Sequence, residues 1–274
     1  MMTKRLGLAS VSLLALAGAA LAADLPPPAP APFVPVAPVF TWTGFYIGTH
    51  SGGLFADNKI KTRGNAALNR ENVATGRRPA NISAEDGAYF SGVQAGYNVQ
   101  FGSFVIGVEA DISYTDVESF EGFQGAGRNL SFFRQDLDFF GTVRGRVGVA
   151  FDNILIYGTG GLAGADVTNR VAFLRAGDGA FQFQGRQDET EFGYAVGGGI
   201  EFALPPALSR FAFIGTLLGA TAVTVKAEYL YFDLGKTDVQ VRAVPGIGTG
   251  SYTSSFDTTG HIGRIGFNYK FGTY

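Results

Sequence analysis

The chain of 274 residues has no cysteine, only two histidines and 16% charged residues. Without cysteine there is no disulfide framework, no thiolate metal site and no thiol chemistry. Two histidines, His50 and His261, leave little material for imidazole catalysis or for a metal or haem site, which wants clustered, supported ligands. An ordinary soluble domain carries about 25% charge, so this chain has little polar surface to spend. The net charge is −2 and there is no Lys/Arg-rich run, so the chain is expected to have no nucleic-acid partner. Beyond the N-terminus no apolar run approaches the ~20 residues of a spanning helix, because glycine and charge interrupt each one. The glycine runs Gly158-Thr159-Gly160-Gly161 and Gly197-Gly198-Gly199 are not followed by Lys-Ser/Thr, which removes the phosphate-cradle reading. No Ser/His or Asp/His set stands out. The chain is expected not to be an enzyme and to carry no cofactor.

What is present begins with an export signal. Lys4 and Arg5 precede an apolar core, Leu6 to Leu16, and Ala20-Leu21-Ala22 is a small-x-small cleavage site. Cleavage after Ala22 takes away two basic residues and no acidic one, leaving a mature net charge of −4. Residues 23–41 are rich in proline and alanine and read as an extended periplasmic linker, either a passive spacer or a tether to the cell wall or a partner. Residues 42–274 form the remaining domain.

Within it the stretch Leu137 to Phe151 splits cleanly with a period of two. Leu137, Phe139, Gly141, Val143, Gly145, Val147, Val149 and Phe151 share one face; Asp138, Phe140, Thr142, Arg144, Arg146, Gly148 and Ala150 share the other. Eight strand-like stretches are expected, near 42–56, 89–101, 103–115, 136–151, 153–167, 189–203, 221–234 and 257–271; all but the first have one strongly lipophilic alternate set, and in Thr43 to Ser51 the faces are ambiguous. Tight turns at Gly102 and Asp152-Asn153 alternate with long polar loops at 57–88, 117–135, 168–188 and 235–256. Short turns at one end and long loops at the other are the pattern of an outer-membrane barrel. The connection Leu204 to Ala220 breaks that pattern by being long and apolar where a short turn is due.

A soluble barrel would turn its apolar face inward. Here the polar face is full of Gly, Ala, Ser and Thr, which suits a cramped interior. Aromatics near strand ends, Trp42, Phe45, Tyr46, Tyr89, Phe90, Tyr114, Phe139, Tyr157, Tyr229, Tyr231, Tyr269 and Phe271, resemble interfacial girdles. The fold class is therefore all-β, an eight-stranded antiparallel transmembrane barrel. Eight strands leave an interior that side chains just fill. Into it point Glu109, Asp111, Glu191, Glu201 and Glu228 against Arg144, Arg146, Lys226, Arg264 and Lys270. Unpaired charges there would cost several kcal/mol each, so mutual neutralisation is expected, with Glu109 and Asp111 facing Arg144 and Arg146.

Several motifs carry a family resemblance: A-L-A-A-D at the end of the signal, W-T-G-F-Y-I-G at Trp42–Gly48, G-V-Q-A-G-Y-N at Gly92–Asn98, F-G-T-V-R-G-R-V-G at Phe140–Gly148, K-A-E-Y-L-Y-F-D-L-G at Lys226–Gly235 and R-I-G-F-N-Y-K-F at Arg264–Phe271. Together they resemble the alphaproteobacterial outer-membrane immunogenic proteins, small opacity-like barrels of the porin family. The resemblance covers residues 1–56 and 89–271 and not the four loops. It implies a Gram-negative outer-membrane barrel serving envelope integrity and surface antigenicity, with porin-like and haem-binding relatives. It also implies a C-terminal signal for the barrel-assembly machinery, for which Ile265, Phe267, Tyr269 and Phe271 are in register while Tyr274 is not.

Three functions follow as expectations. The first is a structural and surface-interaction protein whose interior is plugged by charged pairs. The second is a narrow channel for small solutes. The third is haem capture by His50 and His261, which lie on strands that neighbour each other in a closed barrel. Expected partners are outer-membrane lipid and lipopolysaccharide; the basic first loop with Lys59, Lys61, Arg63, Arg70, Arg77 and Arg78 reads either as a solvated loop or as a contact for lipopolysaccharide phosphates or a host surface. Host or cell-wall contacts are a further expectation.

Overall fold

The computed structural model describes residues 40–205 and 219–272. The export signal, the linker up to residue 39, most of the Leu204–Ala220 connection and Tyr274 lie outside the described residues. Eight antiparallel strands, β1 (Gly44–Gly64), β2 (Asn81–Phe101), β3 (Phe104–Gln124), β4 (Leu130–Phe151), β5 (Ile154–Leu174), β6 (Phe181–Ala203), β7 (Ala222–Ala243) and β8 (Ser251–Phe271), pair in chain order. The β1–β8 ladder, from Phe45↔Phe271 to Gly64↔Tyr252, closes the barrel. One helix, α1 (Ala67–Ala74), lies in the β1–β2 connection. Both tight turns form where expected, with Gly102 at φ 60° and Asp152 at φ 50°, the positive φ that a short hairpin turn requires.

The strands are longer than the sequence reading, and the extra length lies at one end. What reads as four long polar loops is mostly strand. The connections opposite the tight turns shrink to residues 65–80, 125–129, 175–180 and 244–250. A strand of 21 residues rises about 3.3 Å per residue, so it is roughly 70 Å long. Tilted by about 40°, it stands about 50 Å tall, twice the ~25 Å apolar band of an outer-membrane barrel.

Midway up, the polarity of the wall inverts. In the half nearest the tight turns the outward residues are apolar: Phe104, Ile106, Val108 and Ile112 on β3, and Val143, Val147 and Phe151 on β4, are all about half exposed or more. Above that band the outward residues of β1 become Lys59, Lys61 and Arg63, while Ile60 turns inward. The lower half meets hydrocarbon and the upper half meets water, so only the upper half needs an apolar interior.

Local irregularities mark the change. On β4 the ladder slips between Leu137 and Phe139. Below the slip Phe140, Thr142, Arg144 and Arg146 face inward; above it Leu137, Gln135 and Phe133 do. Leu137 therefore sits in the interior, 2% exposed, and not on the outward face that strict alternation gives it. On β7 the slip falls at Gly235, whose φ is 77°. Its N–H is held by Asp233 Oδ1 at 2.8 Å. Positive φ is open to glycine at little cost, so D-L-G is the local sequence for a bulge there.

Candidate functional site

The lumen is filled in layers. At the end of the tight turns the chain segment before β1 tucks inside, and Trp42 is fully buried against Val105, Ala150, Leu155, Tyr157 and Ala203. Trp42 Nε1–H donates to the Asp152 carbonyl at 3.2 Å, and Lys270 Nζ donates to the Trp42 carbonyl at 2.6 Å.

Next comes an ionic layer. Arg144 donates to Glu109 at 2.7 Å, Asp111 at 3.0 Å and Glu228 at 3.2 Å. Arg264 reaches Glu228 at 2.6 Å and Asp111 at 3.2 Å. Lys226 Nζ contacts both oxygens of Glu109 at 2.8 and 2.9 Å. Arg146 donates to Glu201 at 2.8 Å and lies 3.8 Å above the Tyr157 ring. Two tyrosines complete the set: Tyr46 donates to Glu109 at 2.8 Å and Tyr157 to Glu228 at 2.9 Å. Both lie over glycines. A Cβ at Gly96 would fall 2.3 Å from the Tyr46 hydroxyl, and one at Gly199 would fall 2.7 Å from that of Tyr157.

Above the ions stands an apolar septum to which every strand contributes. Leu54, Phe90, Val117, Phe140, Ala165, Ala195, Phe232 and Ile262 come from β1 to β8 in turn and form one buried cluster. Phe140 and Phe232 meet across it with ring centroids 5.0 Å apart. Higher still, a second apolar cluster holds Ile60, Phe133, Val171, Phe173, Phe183, Val239 and Tyr252.

The open end is crossed by the β1–β2 connection. Arg78, 2% exposed, donates to the carbonyls of Leu130 at 2.5 Å and Leu174 at 2.9 Å and to Gln182 Oε1 at 3.0 Å. It lies 4.9 Å over the Phe173 ring. Burial pushes its guanidinium down from the usual value, and carbonyl oxygens hold it where a carboxylate would be the ordinary partner. Hydrogen bonds from a charged donor contribute about 1.5–3 kcal/mol each. Arg78→Ala is thus expected to raise local opening of residues 65–80 at least about tenfold, read as faster cleavage in that segment by limited proteolysis of the folded barrel.

Of the ten charges expected inside, eight meet in the ionic layer. The other two do not. Lys270 sits lower, at the Trp42 carbonyl. Glu191 sits higher, bonded to Asn169 Nδ2 at 3.1 Å. The expected aromatic girdles are likewise partial. Phe45, Tyr89, Tyr114, Phe139 and Tyr229 face outward, whereas Trp42, Tyr46, Phe90 and Tyr157 are interior residues. His50 and His261 do not meet. His50 points inward, with Nδ1 at 3.2 Å from Gln94 and Nε2 at 2.8 Å from Ser113. His261 pairs on the outer face with the Tyr229 hydroxyl at 2.6 Å. A strand wall stands between them, so the haem reading loses its ligand pair. The sequence does not announce the two septa, and Arg78, expected among the loop cations that face lipopolysaccharide, is instead buried and bonded within the barrel mouth. The trace of the septa lies in alternate apolar positions such as Phe133, Gln135, Leu137 and Val239, Val241.

No family model matches the sequence. Among curated proteins, the 31 kDa outer-membrane immunogenic protein of Brucella melitensis is 31% identical over 267 residues, covering 96% of this chain and 98% of its own. The 22 kDa outer membrane protein of Rhizobium leguminosarum is 29% identical over 86% of this chain and 82% of its own. Among solved structures, the outer membrane protein OprG of Pseudomonas aeruginosa matches with a TM-score of 0.50 at 15% identity, over 84% of this chain and 97% of its own, a likeness of fold. A closed ring of eight strands with an apolar outer band, in a chain that shares almost its whole length with such relatives, is an outer-membrane β-barrel of the outer-membrane immunogenic protein family.

Proposed function

We propose that this chain is a non-conducting structural and surface-presenting element of the outer membrane. The observation that supports this reading most is the septum built by all eight strands. An ionic layer alone leaves polar walls that water can wet. An apolar layer to which all eight strands contribute opposes the continuous aqueous path that a solute channel needs.

The upper half of the barrel is then a rigid rim held clear of the bilayer. Its outer face carries a stacked Phe120–Phe132 pair, 5.6 Å between centroids. Beside that pair a groove of about 490 Å³ is lined by Arg134, Arg170 and Arg186. On β1, Lys59, Lys61 and Arg63 project in a row just above the apolar band, and none of them enters an ion pair among the described residues. Such a row fits the phosphates of lipopolysaccharide in the outer leaflet. The reading asks no chemistry of the protein.

Planar-bilayer recording of the folded protein is expected to show a quiet baseline, and a strain lacking the protein is expected to become more sensitive to detergent. Stable stepwise currents from the wild-type protein would reject closure. Unchanged detergent sensitivity would reject the envelope role.

A further inference from the structure

Between the two apolar septa lies a polar layer that the proposed function leaves unused. On β5 the inward residues run Val167, Asn169, Val171, and on β1 they run Ala56, Asn58, Ile60, with a single polar side chain between apolar neighbours in each case. The layer is connected. Gln135 Nε2 donates to Asn169 Oδ1 at 2.8 Å and, across the lumen, to Thr258 Oγ1 at 3.1 Å. Asn169 Nδ2 donates to Glu191 Oε1 at 3.1 Å. Asn58 is the β1 partner of Thr258.

This layer is short of partners in a particular way. Glu191 is 6% exposed and takes part in no ion pair among the described residues. Thr237 lies alongside it, and the charged group that bears on it, Glu189, has its own sign. Its Oε2 lacks a well-formed hydrogen bond, and both side-chain atoms of Asn58, 1% exposed, have none. A carboxylate shut between apolar layers without a counter-charge is strongly disfavoured and takes up either a proton or a cation. The oxygens around it come from carboxylate, amide and hydroxyl groups, the donor set of a hard cation and not of zinc or copper. One carboxylate among neutral oxygens balances one positive charge. The pairing of the wall is irregular at this height. The β6–β7 ladder is interrupted between Gln184↔Arg242 and Tyr194↔Asp233, the stretch that carries Glu191 and Thr237.

We propose that this layer is a binding site for one monovalent alkali cation, with Glu191 as its charged ligand and Asn58, Asn169 and Thr258 as its neutral surroundings. The cation locks the rim from within. The proposal rests on the closed lumen of the proposed non-conducting reading, and its thermal test can fail while bilayer recording stays quiet, so the two failures are distinguishable.

The test is thermal. Folded protein in detergent is exchanged into tetramethylammonium chloride, and its melting midpoint is read from heat-modifiable gel mobility. Lithium, sodium, potassium or caesium chloride then replaces the organic salt at constant ionic strength. The expected result is a saturable rise of roughly 3–8 °C that depends on cation size and vanishes in Glu191→Gln. Equal midpoints in all five salts, or an undiminished rise in Glu191→Gln, would overturn the proposal. If Glu191→Gln does not fold, saturation on the wild-type protein decides: a bound ion gives a rise that levels off at low concentration and supports the proposal, whereas a rise that only grows in proportion to salt is a general salt effect and overturns it.

Discussion

Glu109→Gln is expected to destabilise the folded barrel by about 3–5 kcal/mol, the usual penalty for leaving a buried charge without its partner. Glu109 is the acid on which the ionic layer turns. It receives Lys226 at 2.8 Å, Arg144 at 2.7 Å and Tyr46 at 2.8 Å. Arg144 and Arg264 have Asp111 and Glu228 as further acids, but Lys226 has no other carboxylate in contact among the described residues. The damage therefore concentrates on one ammonium that is 1% exposed. Removing the ammonium as well should repair most of it. Glu109→Gln with Lys226→Met leaves three acids facing Arg144, Arg146 and Arg264, and the layer is neutral again. The check is a double-mutant cycle in urea titrations of protein folded in detergent. A loss below about 1 kcal/mol in the single variant, or a double variant no better than the single, would show that the layer is wet enough to solvate its own ions.

The membrane half of this barrel is legible from sequence because alternation there is unambiguous. Val143 and Val147 against Arg144 and Arg146 can be sorted without knowing the register, and Gly102 and Asp152 announce their turns. The rim is illegible for a physical reason. Above the bilayer the outside must be polar and the inside apolar, so Asp57-Asn58-Lys59-Ile60-Lys61-Thr62-Arg63 reads as a basic loop although it is regular strand. Bulges at Asp138 and Gly235 add to the difficulty by shifting phase, and this is how Leu137 falls on the wrong face of a strict alternation. Parity, by contrast, places one of the histidines, although the ambiguous faces of Thr43 to Ser51 leave His50 open. Arg264 reads as inward on β8, and His261, three residues away, must then face out. Glu191 was legible as inward, but its height was not. Whether an inward acid meets the ions or a neutral layer depends on the stagger between strands, which single strands do not reveal.

The double replacement Phe140→Ala with Phe232→Ala is expected to have the largest effect on stability of any change in the lumen and still to leave the bilayer silent. Each truncation of a buried phenylalanine costs about 3–5 kcal/mol. The two rings touch, so the combined loss should fall short of the sum. The cavity left behind is flanked below by ions and above by polar amides, and water will enter it. On the proposed non-conducting reading current will not follow, because that reading places further barriers in series: the packed Phe133, Phe173 and Tyr252 at the rim, with Arg78 beyond them and Trp42 at the other mouth. The same logic makes Arg144→Ala costly and non-conducting. Urea midpoints and bilayer recordings on the same preparations check both halves. Stepwise currents in the Phe140/Phe232 variant would mean that a single septum does all the sealing. A near-unchanged urea midpoint would mean that the two rings are not packed as tightly as their 5.0 Å separation indicates.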